Sequence, residues 1–167
     1  MSDQVLRDGV LAGTAVVVAG DGELSRAVAE RAAALGAAVS AARDPFDGEA
    51  DVLVFDGSFF EGMQAALDAA WLAIRPVATA AMIERGGGRI VLLAPRPGGA
   101  DAAGTRAGLE NLARTLSVEW ARFQVRPVAI LPGTATSSAE VAELVAFLAS
   151  PAGEYDSGCA FELGAAT

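Results

Sequence analysis

The chain has 167 residues, enough for one domain with a sound hydrophobic core and no disulfide or metal support. It contains no histidine and a single cysteine, Cys159, which excludes an internal disulfide and leaves no credible zinc site. A formal net charge of -9 argues against nucleic acid as a partner, since nucleic acid attracts basic proteins. We expect one domain over residues 1–167, with 1–12 as a polar N-terminal lead.

The N-terminus carries acids where an export signal would carry a basic cluster and a long apolar run. No stretch reaches the roughly 18–20 uninterrupted apolar residues of a membrane helix, so we expect a cytoplasmic protein without a membrane partner. Yet 53% of the residues are hydrophobic and the mean hydropathy is +0.40, which is high for a small soluble chain. We therefore expect another subunit to cover part of its apolar surface.

The first part of the chain alternates strands with a helix. A β-branched run at 14–20 closes on glycine and predicts a strand buried on both faces of a parallel sheet. An alanine-rich segment at 26–35 predicts a helix, and Gly36 stands where a C-cap glycine would end it. Segments 37–41 and 51–57 predict two more strands, joined by a connector rich in turn residues.

The second part continues the alternation. Segment 59–85 is the most apolar helix, and apolar residues nearly all round it predict burial nearly all round, with a kink at Pro76. A second amphipathic helix is predicted at 105–123. The other predicted elements are strands at 89–94, 125–131 and 159–163, and a helix at 139–149. This order predicts an α/β fold, a doubly wound parallel sheet of about six strands.

Several segments resemble the short-chain dehydrogenase/reductase family. Segment 106–121 resembles the family's active-site helix, and 125–133, with Val-Arg-Pro at its start and Pro-Gly at its end, resembles the following strand and turn. Segment 82–91 resembles the approach to the catalytic-serine strand, and 140–163 resembles the C-terminal helix and strand. The resemblance covers most of residues 13–164 and implies a Rossmann-like fold.

The catalytic residues that this resemblance would imply are absent. In such enzymes a tyrosine exchanges a proton with the substrate oxygen, a lysine one helical turn later lowers its pKa and holds the ribose, and a serine orients the carbonyl. The tyrosine position falls on Ala102 and the lysine position on Arg106, in a chain with no lysine. The serine position, within 93–96, has no hydroxyl, and the helical asparagine has no counterpart in 59–85. We expect Arg106 to be a solvated arginine near its helix N-terminus rather than a ribose or phosphate contact.

The cofactor-binding turn also departs from the family's Thr-Gly-x-x-x-Gly-x-Gly pattern, whose glycines let the backbone approach a pyrophosphate at a helix N-terminus. Gly20 and Gly22 survive, whereas Glu23 and Ser25 stand at the later glycine positions. Asp21 and Glu23 would repel a pyrophosphate by about 1 kcal/mol for each water-screened pair of charges. We therefore expect a tight strand-to-helix turn and no bound cofactor, with Gly20 and Gly22 as weak cofactor candidates beside the lysine-position arginine.

Two segments of the family pattern are missing. The second predicted strand ends at Ala41 and the third begins at Asp51, and the ten residues 41–50 are fewer than the dozen or more that a helical crossover to a further parallel strand takes. The resemblance therefore implies that the adenine side of the fold, the family's β3 region, has been lost. Pro132 and Gly133 lead within six residues to the helix at 139, so the loop that covers the substrate is missing too.

The combined losses favour a catalytically inactive relative that acts as a structural or regulatory subunit. It would assemble with itself or with an active family member through helices 59–85 and 105–123, because the corresponding helices of this family commonly form a four-helix interface. The predicted interface residues are the large apolar residues of the two helices: Met63, Leu67, Trp71, Ile74, Leu109, Leu112, Leu116 and Trp120.

Two alternatives remain open. An NAD(P)-dependent oxidoreductase would use Arg106 or Arg96 as electrophile and water as proton donor, although arginine is a poor general acid at neutral pH. A small-molecule binding module would use the crevice at the carboxyl ends of the strands. The residues predicted to line that crevice are Gly20, Asp56, Gly57, Ala94 and Pro132. We expect Cys159 to lie in the core and Tyr155 on the surface.

Overall fold

The computed structural model of the protein describes residues 6–164. Its strands are β1 (Ala15–Ala19), β2 (Ala38–Ala41), β3 (Val52–Asp56), β4 (Gly88–Leu93), β5 (Val125–Pro132) and β6 (Ala160–Leu163). They form one sheet in the order β2-β1-β3-β4-β5-β6, and every pair of neighbours is parallel. β1, β3, β4 and β5 are buried almost throughout, which explains why their sequences are nearly continuous apolar runs.

Four α-helices cover the two faces of this sheet. They are α1 (Glu23–Ala34), α2 (Met63–Val77), α3 (Gly99–Glu119) and α4 (Ser138–Ala149). The alternating side chains of each central strand enter two separate cores, one beneath α1 and α4 and the other beneath α2 and α3. The predicted six-stranded, doubly wound Rossmann-like fold is confirmed.

The short connections predicted from the sequence are also present. β1 lies between β2 and β3, so residues 42–51 cross from the edge of the sheet to its centre, and they do so without a helix. A doubly wound dinucleotide fold usually has two strands on that side of β1, whereas β2 is the edge strand in the described part of this chain. Residues 133–137 join β5 to α4, again without an intervening helix.

The helix predicted at 59–85 begins only at Met63, and it changes from α to π geometry along its length. A 3-10 turn at Gly57–Phe59 precedes α2, and a π-helix at Ala78–Ile83 follows it. Pro76 has no N–H to donate, and the wider π-helical turns begin two residues after it. The π-helical turns leave Met82 fully buried against Gly88, where a Cβ atom would lie 2.4 Å from the Met82 Cγ.

The stretch Met63–Ile83 is long and apolar enough, by length and composition, to cross a membrane, with a mean hydropathy of 1.3. Core helices of globular proteins share this composition. In this fold the stretch lies on the sheet beside α3, and 39% of its most apolar window is buried.

The predicted polar lead contributes to the core. Leu11 is fully buried in the core beneath α1 and α4, and its amide donates to the Leu35 carbonyl at 3.0 Å. Leu6 is buried in the same core. Residues 1–5 of the predicted lead lie outside the described residues.

The prediction that the α2 segment is buried nearly all round is wrong for a single chain. The sheet and α3 cover one side of α2, whereas Met63, Trp71 and Leu72 on the other side are 45%, 43% and 61% exposed. Val118 of α3 is 74% exposed, and Phe59, just before α2, is 52% exposed. The two helices therefore present apolar side chains to solvent.

Three residues of the predicted interface are misassigned. Ile74, Leu109 and Leu116 point to the sheet and are buried in the protein's own core, because they lie on the inward faces of their helices. Leu67, Leu112 and Trp120 are half-buried where α2 meets α3. Of the eight residues, Met63 and Trp71 are the two that are exposed.

Gly57 provides a test of the packing beneath the crevice. A Cβ atom at this position would lie 2.6 Å from Leu109 Cδ1 and 2.9 Å from the Leu93 carbonyl oxygen, and the latter cannot move without moving β4. We expect Gly57→Ala to lower the free energy of unfolding by about 1–3 kcal/mol through overpacking. Urea denaturation measures this, with Gly87→Ala as the control because a Cβ there meets only a carbonyl at 4.0 Å. Equal stability of the two variants would contradict the prediction.

Candidate functional site

The candidate site is the crevice at the carboxyl ends of β1 and β3. β2 lies on one side of β1 and β3 on the other, so the order of the strands reverses here, which is where open α/β sheets bind ligands. The structure brings the predicted crevice residues of β1 and β3 together: a Cβ atom on Gly20 would lie 3.0 Å from the Asp56 Cβ. Across the sheet, the Ala94 amide donates to the Ile130 carbonyl at 2.9 Å, two residues before Pro132.

The Asp56 carboxylate lies at the N-terminus of α1. The Ser25 amide in the first turn of α1 donates to Asp56 Oδ2 at 2.9 Å. The Ser58 amide donates to Asp56 Oδ1 at 3.0 Å, and the Ser58 hydroxyl donates to the same oxygen. Asp56 is fully buried, and its side chain accepts these three hydrogen bonds beside the positive end of the α1 dipole.

This arrangement explains why glycines occur at 20 and 22. Gly20 has φ +113°, and a Cβ atom on Gly22 would lie 2.7 Å from Asp56 Oδ2. The two glycines therefore let the β1–α1 turn approach a carboxylate of the protein itself. Ser25 completes the turn, because its hydroxyl accepts from the Gly22 amide at 2.8 Å. The turn is tight, as the sequence predicts.

The residues at the N-terminus of α1 do not fit the pyrophosphate of a dinucleotide. In a dinucleotide-binding fold the amides of this first turn face the phosphates. Here the Asp56 carboxylate accepts a hydrogen bond from one of those amides. Glu23, whose side chain is 64% exposed, lies in the same turn. A second anion at this position would meet the Asp56 and Glu23 carboxylates, of which Glu23 lies 3.6 Å from the Arg96 guanidinium.

Arg106 bridges the ends of two strands. Its Nη1 donates to the Pro95 carbonyl at 2.8 Å, beyond β4, and to the Pro132 carbonyl at 2.7 Å, at the end of β5. Burial lowers the pKa of Arg106, and the nearby Glu162 opposes that shift. The prediction of a solvated arginine at the helix N-terminus is wrong, because α3 begins at Gly99 and Arg106 lies in its interior against the sheet.

Arg96, the other candidate electrophile, also bonds to the protein. Its Nε donates to the Thr136 carbonyl at 3.0 Å, and its Nη2 lies 3.6 Å from Glu23 Oε1. Thr136 was not predicted as a site residue. Its hydroxyl donates to the Leu163 carbonyl at 2.8 Å and accepts from the Gly133 amide, so it ties the end of β5 to the end of β6.

Among the described residues, the crevice contains no tyrosine, histidine, lysine or cysteine side chain that could act as a general acid. Ala102, at the tyrosine position, is half-buried in the first turn of α3 and has no proton to give. Tyr155 is 88% exposed, and Cys159 immediately precedes β6, so both lie at the amino end of β6 rather than in the crevice. Burial and the nearby Asp156 raise the pKa of the Cys159 thiol, which disfavours its thiolate. Within residues 6–164 no group of three or more potential metal ligands occurs.

No family model matches this chain, and no curated protein sequence matches it. Its fold is shared with 958 chains of solved structures, so the fold by itself does not select a function. One of them is described as a citronellol catabolism dehydrogenase (AtuB) of Pseudomonas aeruginosa PAO1. The two chains superimpose with a TM-score of 0.78 at 23% sequence identity, over 96% of this chain and 97% of the other. The protein therefore shares the Rossmann-like fold of that chain.

Asp56 should be essential to the stability of the turn. We expect Asp56→Ala to lower the free energy of unfolding by about 2–3 kcal/mol, because it leaves buried donors, including the Ser25 amide, without an acceptor. Asp56→Asn should lower the free energy of unfolding less, because the side-chain amide oxygen can still accept some of these hydrogen bonds. Chemical denaturation measures both, with Asp21→Asn on the exposed side of the same turn as the control. A loss no greater than that of Asp21→Asn would contradict the assigned role.

Proposed function

We propose that this chain is a degenerate relative of the short-chain dehydrogenases/reductases that has no oxidoreductase activity and serves as a structural or regulatory subunit. The observation that carries the proposal is the state of the charged groups at the strand ends. Asp56, Arg96 and Arg106 are each bonded to groups of the protein itself. These bonds hold the ends of the strands and the start of α1 together.

The chemistry of these groups supports the absence of catalysis. Reduction of a carbonyl needs a proton donor near the developing alkoxide, and a guanidinium does not lose a proton at physiological pH even where burial lowers its pKa. Arg106 is therefore no substitute for a general-acid tyrosine. The similar structure is described as a dehydrogenase. For this chain, dehydrogenase activity is the alternative function.

The outer face of α2 and α3 supports assembly. The indole rings of Trp71 and Trp120 stack with centroids 6.4 Å apart and planes inclined by 26°. Met63 and Leu72 on α2 and Val118 on α3 are also exposed. Burial of such apolar and aromatic surface is the main driving force of subunit association. The occupant we propose is a second copy of this chain or an active relative with the same two helices, docked helix pair to helix pair.

Light scattering after size-exclusion chromatography tests the assembly. We expect a dimer or larger species at about 10 µM, because a face of this kind associates by burying apolar area. Trp71→Glu and Leu72→Glu should yield monomers, since each would place a charge at the centre of the contact. Phe147→Glu is the matched control, because Phe147 is a partly exposed aromatic residue of α4, on the opposite side of the sheet. A wild-type monomer would contradict the homomeric form of the proposal. If an active relative also fails to co-elute, the assembly role as a whole is overturned.

Calorimetric titration with NADH and NADPH tests the loss of the cofactor site. We expect no binding at submillimolar concentrations, because the Asp56 carboxylate occupies the N-terminus of α1 and Glu23 adds a second negative charge. A catalytically intact short-chain dehydrogenase titrated in the same buffer serves as the positive control. Submillimolar binding by the wild-type chain would restore the oxidoreductase alternative.

The binding-module alternative also has an observation in its favour. A pocket of 370 Å³ opens beside Arg106, between the start of α3 and β6, and Glu110 and Glu162 are the acids that line it. Arg106 lines this pocket, and its two carbonyl contacts both use Nη1, so they leave Nε and Nη2 unengaged. Native mass spectrometry of freshly purified protein checks for a retained small molecule, which would favour this alternative over a purely structural role.

A further inference from the structure

A second pocket lies at the opposite edge of the sheet, at the amino ends of β3, β4 and β5. It has a volume of 670 Å³, within the range of small-molecule sites. Three arginines line it, Arg85, Arg89 and Arg126, together with two acids, Asp51 and Glu154. In a chain of net charge -9, a concave surface with more arginines than acids stands out.

Two of the arginines are neighbours across the sheet. Arg89 of β4 and Arg126 of β5 occupy the same register position, so their side chains leave the sheet side by side on the same face. Like charges directly opposite each other destabilise a sheet. Arg89 is only 7% exposed, so its charge is also largely removed from water. Burial and Arg126 lower the pKa of Arg89, and Asp156, Glu154 and Cys159 oppose that shift.

The groups around these arginines leave donors for a ligand. Arg89 Nη1 donates to the Gly153 carbonyl, and Arg126 Nη2 donates to Gln124 Oε1 at 3.2 Å. Both carboxylate oxygens of Asp51 already have donors, because one accepts from Arg85 at 2.5 Å and the other from the Ala15 amide at 2.7 Å. Each arginine carries five N–H donors, so the bonds of Arg89 and Arg126 to the protein use a minority of them.

Three glycines, at the point where the chain enters β4, leave the pocket unobstructed. Residues 86–88 are all glycine, and no side chain projects from them. Their amides are bonded within the protein, to the carbonyls of Ile83, Met82 and Gln124. Recognition of a ligand in this pocket therefore depends on the guanidinium groups, whose fork geometry matches phosphate and carboxylate oxygens.

We propose that this pocket binds a small phosphate-bearing anion between Arg89 and Arg126, with Arg85 at its rim. An anion placed there offsets the repulsion between the paired arginines and the cost of burying the charge of Arg89. The nearby acids offset these two effects only in part. The site lies on the far edge of the sheet from the crevice, so it holds whether or not the chain is an inactive subunit. Its ligand is either inorganic phosphate or the phosphomonoester of a small metabolite.

Thermal unfolding in phosphate tests the proposal, with sodium chloride at matched ionic strength as the reference. We expect about 20 mM phosphate to raise the wild-type Tm by about 3–6 °C, as ligand binding to the folded state of a domain of this size would. Arg126→Met should abolish this rise. In chloride it should leave Tm unchanged or higher, because the repulsion with Arg89 is gone. Arg89→Met should also abolish the rise if the variant folds, and Arg126→Met suffices if it does not.

Arg114→Gln is the matched control, because it removes one positive charge from the exposed side of α3, far from the pocket. It should keep the full phosphate-dependent rise. An equal rise in wild type and Arg126→Met would show that phosphate acts only through exclusion from the protein surface, and it would overturn the proposal. The absence of a rise in wild type would overturn it as well.

Isothermal titration with inorganic phosphate and with ribose 5-phosphate distinguishes the two sources of the anion. Tighter binding of ribose 5-phosphate to the wild type, lost in Arg126→Met, identifies a phosphomonoester as the ligand. Equal affinity for the two probes identifies the free anion. Failure of both probes to bind at millimolar concentration overturns the site and leaves the proposed function of the crevice unaffected.

Discussion

The hydrogen bond from the Ser25 amide to the Asp56 carboxylate is the interaction on which the crevice depends. It joins the end of β3 to the start of α1, across the point where the sheet reverses its order. The turn glycines, Gly20 and Gly22, are needed because this carboxylate lies so close to the backbone. A helix N-terminus that could bind an external anion thus contains an internal one, and the positive end of the α1 dipole stabilises the fold itself.

The arginines at the same edge of the sheet also bond to groups of the protein itself. Arg106 connects the ends of β4 and β5 through two carbonyl oxygens, and Arg96 connects the loop after β4 to the loop after β5. Thr136 then ties β5 to β6. These side chains thus satisfy main-chain groups at the ends of the strands, where the connections are short.

The sequence predicts the architecture well and the details of the site poorly, for identifiable reasons. Central strands are apolar throughout because both of their faces are buried, so their number and order are readable. The sequence predicts the start of α3 at 105, whereas the helix begins at Gly99, because its first turn is glycine- and alanine-rich and carries no apolar stripe. That error put Arg106 in solvent. The partner of Asp56 lies 31 residues away along the chain, and no local pattern reveals such a contact. Alanines likewise occur on every side of α2, so the sequence does not indicate which face of this helix packs on the sheet.

The short crossover at 42–51 has a consequence for how the protein behaves at high concentration. It leaves β2 as a sheet edge whose outer main-chain groups pair with no strand among the described residues. Open edges of this kind are templates for strand addition and aggregation. β2 has only four residues, and Pro45 follows four positions after its end, so the edge offers few donors and acceptors in a row. The brevity of β2 is therefore a form of protection, because an open edge of four residues is too short to recruit a neighbouring strand readily.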